Sequence, residues 1–70
     1  MIVGENVKRI MSAKGIKQKV IAERAGYTEQ TFSNMLNGRK NIYDEDILRI
    51  SKALEVLPND LFGLSEEKGA

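Results

Sequence analysis

The chain has no cysteine and no histidine, and its only proline is Pro58. Without thiols there is neither a disulfide framework nor a thiolate metal site. Without imidazole the commonest general base and a frequent metal ligand are missing. Catalysis is therefore not expected, and no cofactor or small-molecule ligand is called for. Long apolar runs are also absent. Nothing approaches the roughly 18 residues of a membrane span, and the N-terminal stretch lacks an apolar signal core. These absences predict a soluble, cytoplasmic chain with no membrane partner, in keeping with a reducing compartment. With 70 residues there is room for one domain. A domain so small buries only about 60% of its unfolded surface, so it needs tight packing or self-association.

What is present is unevenly charged. The net charge of +1 conceals a basic half and an acidic half. Residues 1–40 carry eight cations against three anions, and residues 41–70 carry three against seven. Such a chain approaches a polyanion in one preferred orientation, although modest asymmetry is also common on plain solvated surfaces.

Five short helices and no strand are predicted. Val3, Val7, Ile10 and Met11 share one face of a first helix, from about Val3 to Lys14, that Gly15 ends. A second runs from Gln18 to Ala25 with Val20, Ile21 and Ala25 inward. A third starts at Thr28, a good N-cap, and stops at Asn37-Gly38. A fourth spans about Asp44 to Glu55 on an Ile47, Ile50 and Leu54 stripe. Its opening acids, Asp44, Glu45 and Asp46, suit the positive helix end and lack calcium-loop spacing. Pro58 opens a fifth, in which Leu61 and Phe62 are expected to pack before Gly63. Residues 1–64 are thus one all-α domain, with 65–70 a frayed, disordered polar tail.

The stretch YTEQTFSNMLNGRK, residues 27–40, is informative. Phe32, Met35 and Leu36 fall at core spacing, while amides and hydroxyls lie between them. Segments two and three are joined so tightly that they must cross steeply, the geometry of a helix-turn-helix. Ala22 and Ala25 are small enough for that approach, and Gly26 tolerates the turn.

Here the sequence resembles the phage-repressor and Cro type of helix-turn-helix regulator, akin to xenobiotic-response-element-like bacterial regulators. Gln18, Ile21, Ala22, Ala25, Gly26, Thr28, Phe32, Ser33, Met35 and Asn37-Gly38 carry the likeness. So do the flanking stretches GENVKRI, ILRISKALEV and PNDLFG. The likeness covers residues 3 to 63. It implies a compact five-helix repressor-like domain whose helices two and three form the motif and whose third helix enters the DNA major groove.

Carried over residue by residue, Glu29, Gln30 and Asn34 would face base edges. Gln18, with Asn37, Arg39 and Lys40 of the following loop, would hold phosphates. The chemistry of the residues agrees. Gln and Asn offer two hydrogen bonds to adenine, and Glu can accept from cytosine. Thr31 and Ser33 can donate to phosphate, and Lys17 and Thr28 complete that set. The bland reading of any one of these residues is helix-surface solvation; their combination on this scaffold favours double-stranded DNA.

One such helix reads only part of a groove turn, so a near-palindromic operator and a homodimer, formed at least on DNA, are expected. The resemblance puts pairing near the fifth helix, where Val56, Leu57 and Pro58 form a small apolar group; core packing explains the same residues equally well. The function implied is transcriptional regulation, specifically repression by operator occupancy, of phage or mobile-element type. The rival is a protein-interaction module or antitoxin on the same fold. Four departures from the family pattern stand out. Glu29 is an unusual anion beside phosphates, suited either to a cytosine amino group or only to the helix dipole, where it discourages wrong sequences. Tyr27 replaces a usual aliphatic, its ring expected to pack and its hydroxyl to reach solvent or phosphate. Leu57 replaces a usual Ser or Thr cap. Met11 and Leu36 replace a frequent Arg–Glu ion pair between helices one and three, and are expected to touch.

Overall fold

A computed structural model describes residues 2–64 and contains five helices: α1 Ile2–Lys14, α2 Gln18–Ala25, α3 Glu29–Leu36, α4 Asp44–Leu54 and α5 Pro58–Leu61. The segment 65–70, expected to fray, lies outside the described residues. Helix α1 packs on α3 and α5, α2 packs on α3 and α4, and α4 packs on α5. Among the described residues no helix is long and apolar enough to cross a membrane.

The core is the set the helical spacing selects. Val3, Val7 and Met11 of α1 meet Ile21, Ala22 and Ala25 of α2, then Phe32, Met35 and Leu36 of α3. Ile47, Ile50, Ala53 and Leu54 of α4 and Leu61 of α5 complete it. Met11 and Leu36 are both buried in this one cluster. Val20 and Ile10 are only half-buried, at the margin of their stripes.

Each helix end has a local cause. The α2–α3 turn is closed by Gly26 at φ 85°, a conformation that costs a residue with a Cβ about 1–2 kcal/mol. The Tyr27 N–H then bonds back to the Ala22 carbonyl at 2.8 Å. Thr28 caps α3 as expected, its Oγ1 accepting from the Thr31 N–H at 3.1 Å. Before α5, where a Ser or Thr cap is missing, the Asp60 carboxylate accepts from the Leu57 N–H at 3.0 Å and the Asp60 N–H donates to the Leu57 carbonyl at 2.9 Å.

Phe62 does not pack as expected. It is 42% exposed whereas Leu61 is fully buried. A helix of one turn has a single inward position, and the next residue lies about 100° around it.

Three features have no counterpart in the periodicity. Gly4 is buried where α1 crosses the end of α3; a Cβ there would lie 2.5 Å from the Leu36 carbonyl oxygen. Asn6 is buried and donates through Nδ2 to the Leu61 carbonyl at 2.9 Å, while its Oδ1 accepts from the Arg9 guanidinium. Glu55 ends α4 in the left-handed region, at φ 61°.

Candidate nucleic-acid interface

Helix α3 divides cleanly. Its Phe32, Met35 and Leu36 side is buried, which turns Glu29 and Gln30 fully outward and leaves Thr31, Ser33 and Asn34 half-exposed. Gln18, at the first position of α2, shares an open recess with Glu29, Gln30 and Ser33. Lys17, just before it, is exposed. A residue expected to hold phosphate thus lies beside two expected to meet base edges.

The outward polar groups are tied to one another. Gln30 Nε2 donates to Asn34 Oδ1 at 3.2 Å, a pairing one helical turn apart. The Thr28 hydroxyl donates to Thr31 Oγ1 at 3.0 Å while serving as the cap. Thr28 is therefore spent on the helix start, and Thr31 keeps its own proton to donate outward. Asn37 Nδ2 reaches Ser33 Oγ at 3.4 Å.

The loop after α3 is held by its backbone. The Arg39 and Lys40 N–H groups both donate to the Asn34 carbonyl, at 2.8 and 3.2 Å, and leave two exposed cationic side chains. Lys8 of α1 joins them, its Nζ donating to Asn37 Oδ1 at 2.8 Å. Only the charge tally hinted at Lys8, because its place beside the loop depends on how α1 packs.

Tyr27 departs from expectation in one respect. Its ring packs as expected, stacked on Phe32 with centroids 6.1 Å apart and planes within 3°. Its hydroxyl turns inward to α4 and donates to Asp46 Oδ1 at 2.5 Å, so it is not free for solvent or phosphate. Asp46 Oδ2 accepts from the Tyr43 N–H at 2.9 Å. The Arg49 guanidinium lies 5.7 Å from the Tyr27 ring centre, within range of a cation–π attraction.

Both ionisable groups in this cluster are perturbed. Burial, then the hydrogen bond to Asp46 and its charge, pushes Tyr27 up to about 12 against the opposing Arg49. Partial burial works to raise the Asp46 carboxyl. The bonds from Tyr27 and Tyr43, with Arg49 and Lys40 nearby, outweigh it and hold the group below its ordinary value. Asp46 thus does more than answer a helix end.

The expected pairing residues separate. Val56 is half-buried against the core and Pro58 is half-buried, but Leu57 is 62% exposed. Phe62 and Leu64 are exposed in the same short segment, a feature that the sequence reading missed. Among the described residues no group of three acidic side chains is placed to hold a metal.

Comparison with known proteins agrees with this geometry. The family model of the Cro/C1-type HTH DNA-binding domain matches residues 6–67. The HTH-type transcriptional regulator y4dJ of Sinorhizobium fredii is 29% identical over 66 residues, spanning 94% of this chain and 86% of that protein. The crystal structure of the restriction-modification controller protein C.AhdI from Aeromonas hydrophila superposes with a TM-score of 0.80 at 27% identity. That match covers 86% of this chain and 91% of the other.

Proposed function

Because this chain belongs to the Cro/C1-type HTH DNA-binding domain family, we propose that it is a sequence-specific transcriptional regulator that binds double-stranded DNA and represses by occupying its operator. In this reading α3 lies in the major groove. Gln30, Asn34 and Glu29 meet base edges. Gln18, Lys17, Thr31, Ser33, Asn37, Arg39 and Lys40 follow the phosphates, with Thr28 holding the helix start.

The observation that carries the reading is the outer face of α3. Two amides are bonded to each other at 3.2 Å, Gln30 sharing a recess with Gln18, and the helix runs into a loop bearing two exposed cations. Amides supply the paired donors and acceptors that base edges require, and cations supply sequence-independent attraction. Two copies acting on a near-palindrome would double the base pairs read. The apolar α5 segment, with Leu57 at its start, is the surface proposed to join them.

Selection of bound duplexes from a random pool, followed by titration at several salt concentrations, tests this reading. A near-palindromic site whose affinity falls steeply with salt is expected. A selected site without a repeated half would remove the dimer. Binding indifferent to salt would remove DNA and favour a protein-interaction module or antitoxin. The likeness to C.AhdI supports one narrower version, in which the operator belongs to a restriction-modification system; it is tested by whether the selected site lies beside such genes.

A further inference from the structure

We propose that Asp46 is a positioning residue for base reading: its carboxylate ties the residue just before the α3 cap to α4, so that discrimination between sequences depends on it more than general affinity for DNA does. The inference rests on the reading of α3 given above.

Tyr27 immediately precedes the Thr28 cap, and Tyr43 ends the loop that leaves α3. Asp46 Oδ1 takes the Tyr27 hydroxyl at 2.5 Å and Oδ2 takes the Tyr43 N–H at 2.9 Å. Oδ1 therefore fastens the entry to α3 onto α4, while Oδ2 fixes the start of α4 and with it the carboxylate's own orientation. Hydrogen bonds to an ionised acceptor are about twice as strong as neutral ones, and Lys40 and Arg49 favour that ionised form. Arg49 also bears on the Tyr27 ring, which is itself stacked on Phe32 within α3.

The core buries Phe32, Met35 and Leu36 without calling on any of these polar groups. The close-packed core and the Gly4 contact hold the body and end of α3, and the Tyr27–Asp46 bond adds a directional restraint at its start, limiting the small rotation the packing still permits. Such a rotation shifts Gln30 and Asn34 against base edges, where hydrogen-bond geometry is steep. Phosphate attraction through exposed cations is long-ranged and tolerates the same shift.

Two substitutions separate positioning from folding. Tyr27→Phe keeps the stacked ring and removes only the hydroxyl. Asp46→Asn cannot accept from both partners without turning its NH2 toward one donor. Dissociation constants are measured by fluorescence anisotropy for the selected duplex and for an unrelated one, well below each variant's melting temperature. Both variants are expected to lose about five- to tenfold on the selected duplex, as a contact set loosened from its support does, and less than about twofold on the unrelated one. Asp46→Glu retains two charged oxygens and should recover part of the loss seen with Asp46→Asn. An unchanged ratio of the two constants, or an equal loss on both duplexes, overturns the inference and leaves the functional reading standing. A wild-type chain that selects no duplex at all overturns both.

Discussion

Helices α3 and α5 are both short and both start with a backbone N–H held by a side-chain oxygen three residues away, yet they present different surfaces. The outward residues of α3 are amides and hydroxyls that bond to one another. Those flanking α5 include Leu57, Phe62 and Leu64, exposed carbon surfaces on either side of the exposed Asn59. Polar groups organised in advance cost little further ordering when a polar ligand arrives. Exposed apolar groups gain only when something apolar covers them. The contrast supports the proposal of two kinds of partner: a hydrogen-bonding polyanion at α3 and a carbon-rich surface, such as a second copy, at α5.

The sharpest way to break the α3 side is through its buried face. Met11→Arg or Leu36→Glu places one unpaired charge in the cluster both residues share and should cost about 3–5 kcal/mol. The double change should recover much of that loss in a thermal-melt double-mutant cycle. Simple additivity would show that the two side chains do not face each other.

Gly4→Ala should cost about 1–3 kcal/mol in denaturant unfolding, because its new methyl meets a backbone oxygen that cannot rotate away. A silent substitution would mean that α1 slides freely over the end of α3.

On the outer face, Gln30→Ala or Asn34→Ala should cost roughly 1–3 kcal/mol on the selected duplex and relax one base pair, whereas Lys40→Ala should weaken all duplexes alike. If Gln30→Ala leaves the selected site unaltered, Gln30 is not a reader.

Tyr27 supplies a pH test. Its folded value, about 12, lies above the ordinary 10.0. The stabilisation is therefore complete below pH 10 and is lost as pH rises through 10 toward 12. Melting temperatures across that window should fall more steeply for the wild type than for Tyr27→Phe. Parallel curves would show that neither burial nor the Asp46 bond perturbs Tyr27 in the folded chain.

The smallest effect on folding is expected at α5. Leu57→Ser, at a residue 62% exposed, should change monomer stability by less than about 0.5 kcal/mol, yet weaken self-association in sedimentation on the selected duplex. Undiminished pairing would move the interface elsewhere.

The helix limits were legible because their causes are local. Thr28 caps from three residues away, and Gly26 acts at its own position. The stripes of α1, α3 and α4 were legible for the same reason. The carboxylate clamp was not, since Tyr27 and Asp46 are 19 residues apart, and neither is at a spacing that announces the other. The Asn6 bond spans 55 residues, and the Gly4 contact exists only once α1 has crossed α3. Phe62 was misplaced because one turn of helix offers no period to read. At the interface, residue types pointed to the surface, while the bonds that orient Gln30, Asn34 and Asn37 became visible only in three dimensions.

Asn6 fastens α1 to α5 through the Leu61 carbonyl. Two positions earlier and two later, Gly4 and Lys8 brace the same helix against the end of α3 and its loop. Helix α1 is thus a strut between the surface proposed to read and the surface proposed to pair. In an assembly joined through α5, the strut acts as a ruler: its tilt sets how far apart two reading helices stand. Variants at Asn6 would then alter the number of base pairs between half-sites and leave the letters within each half-site unchanged.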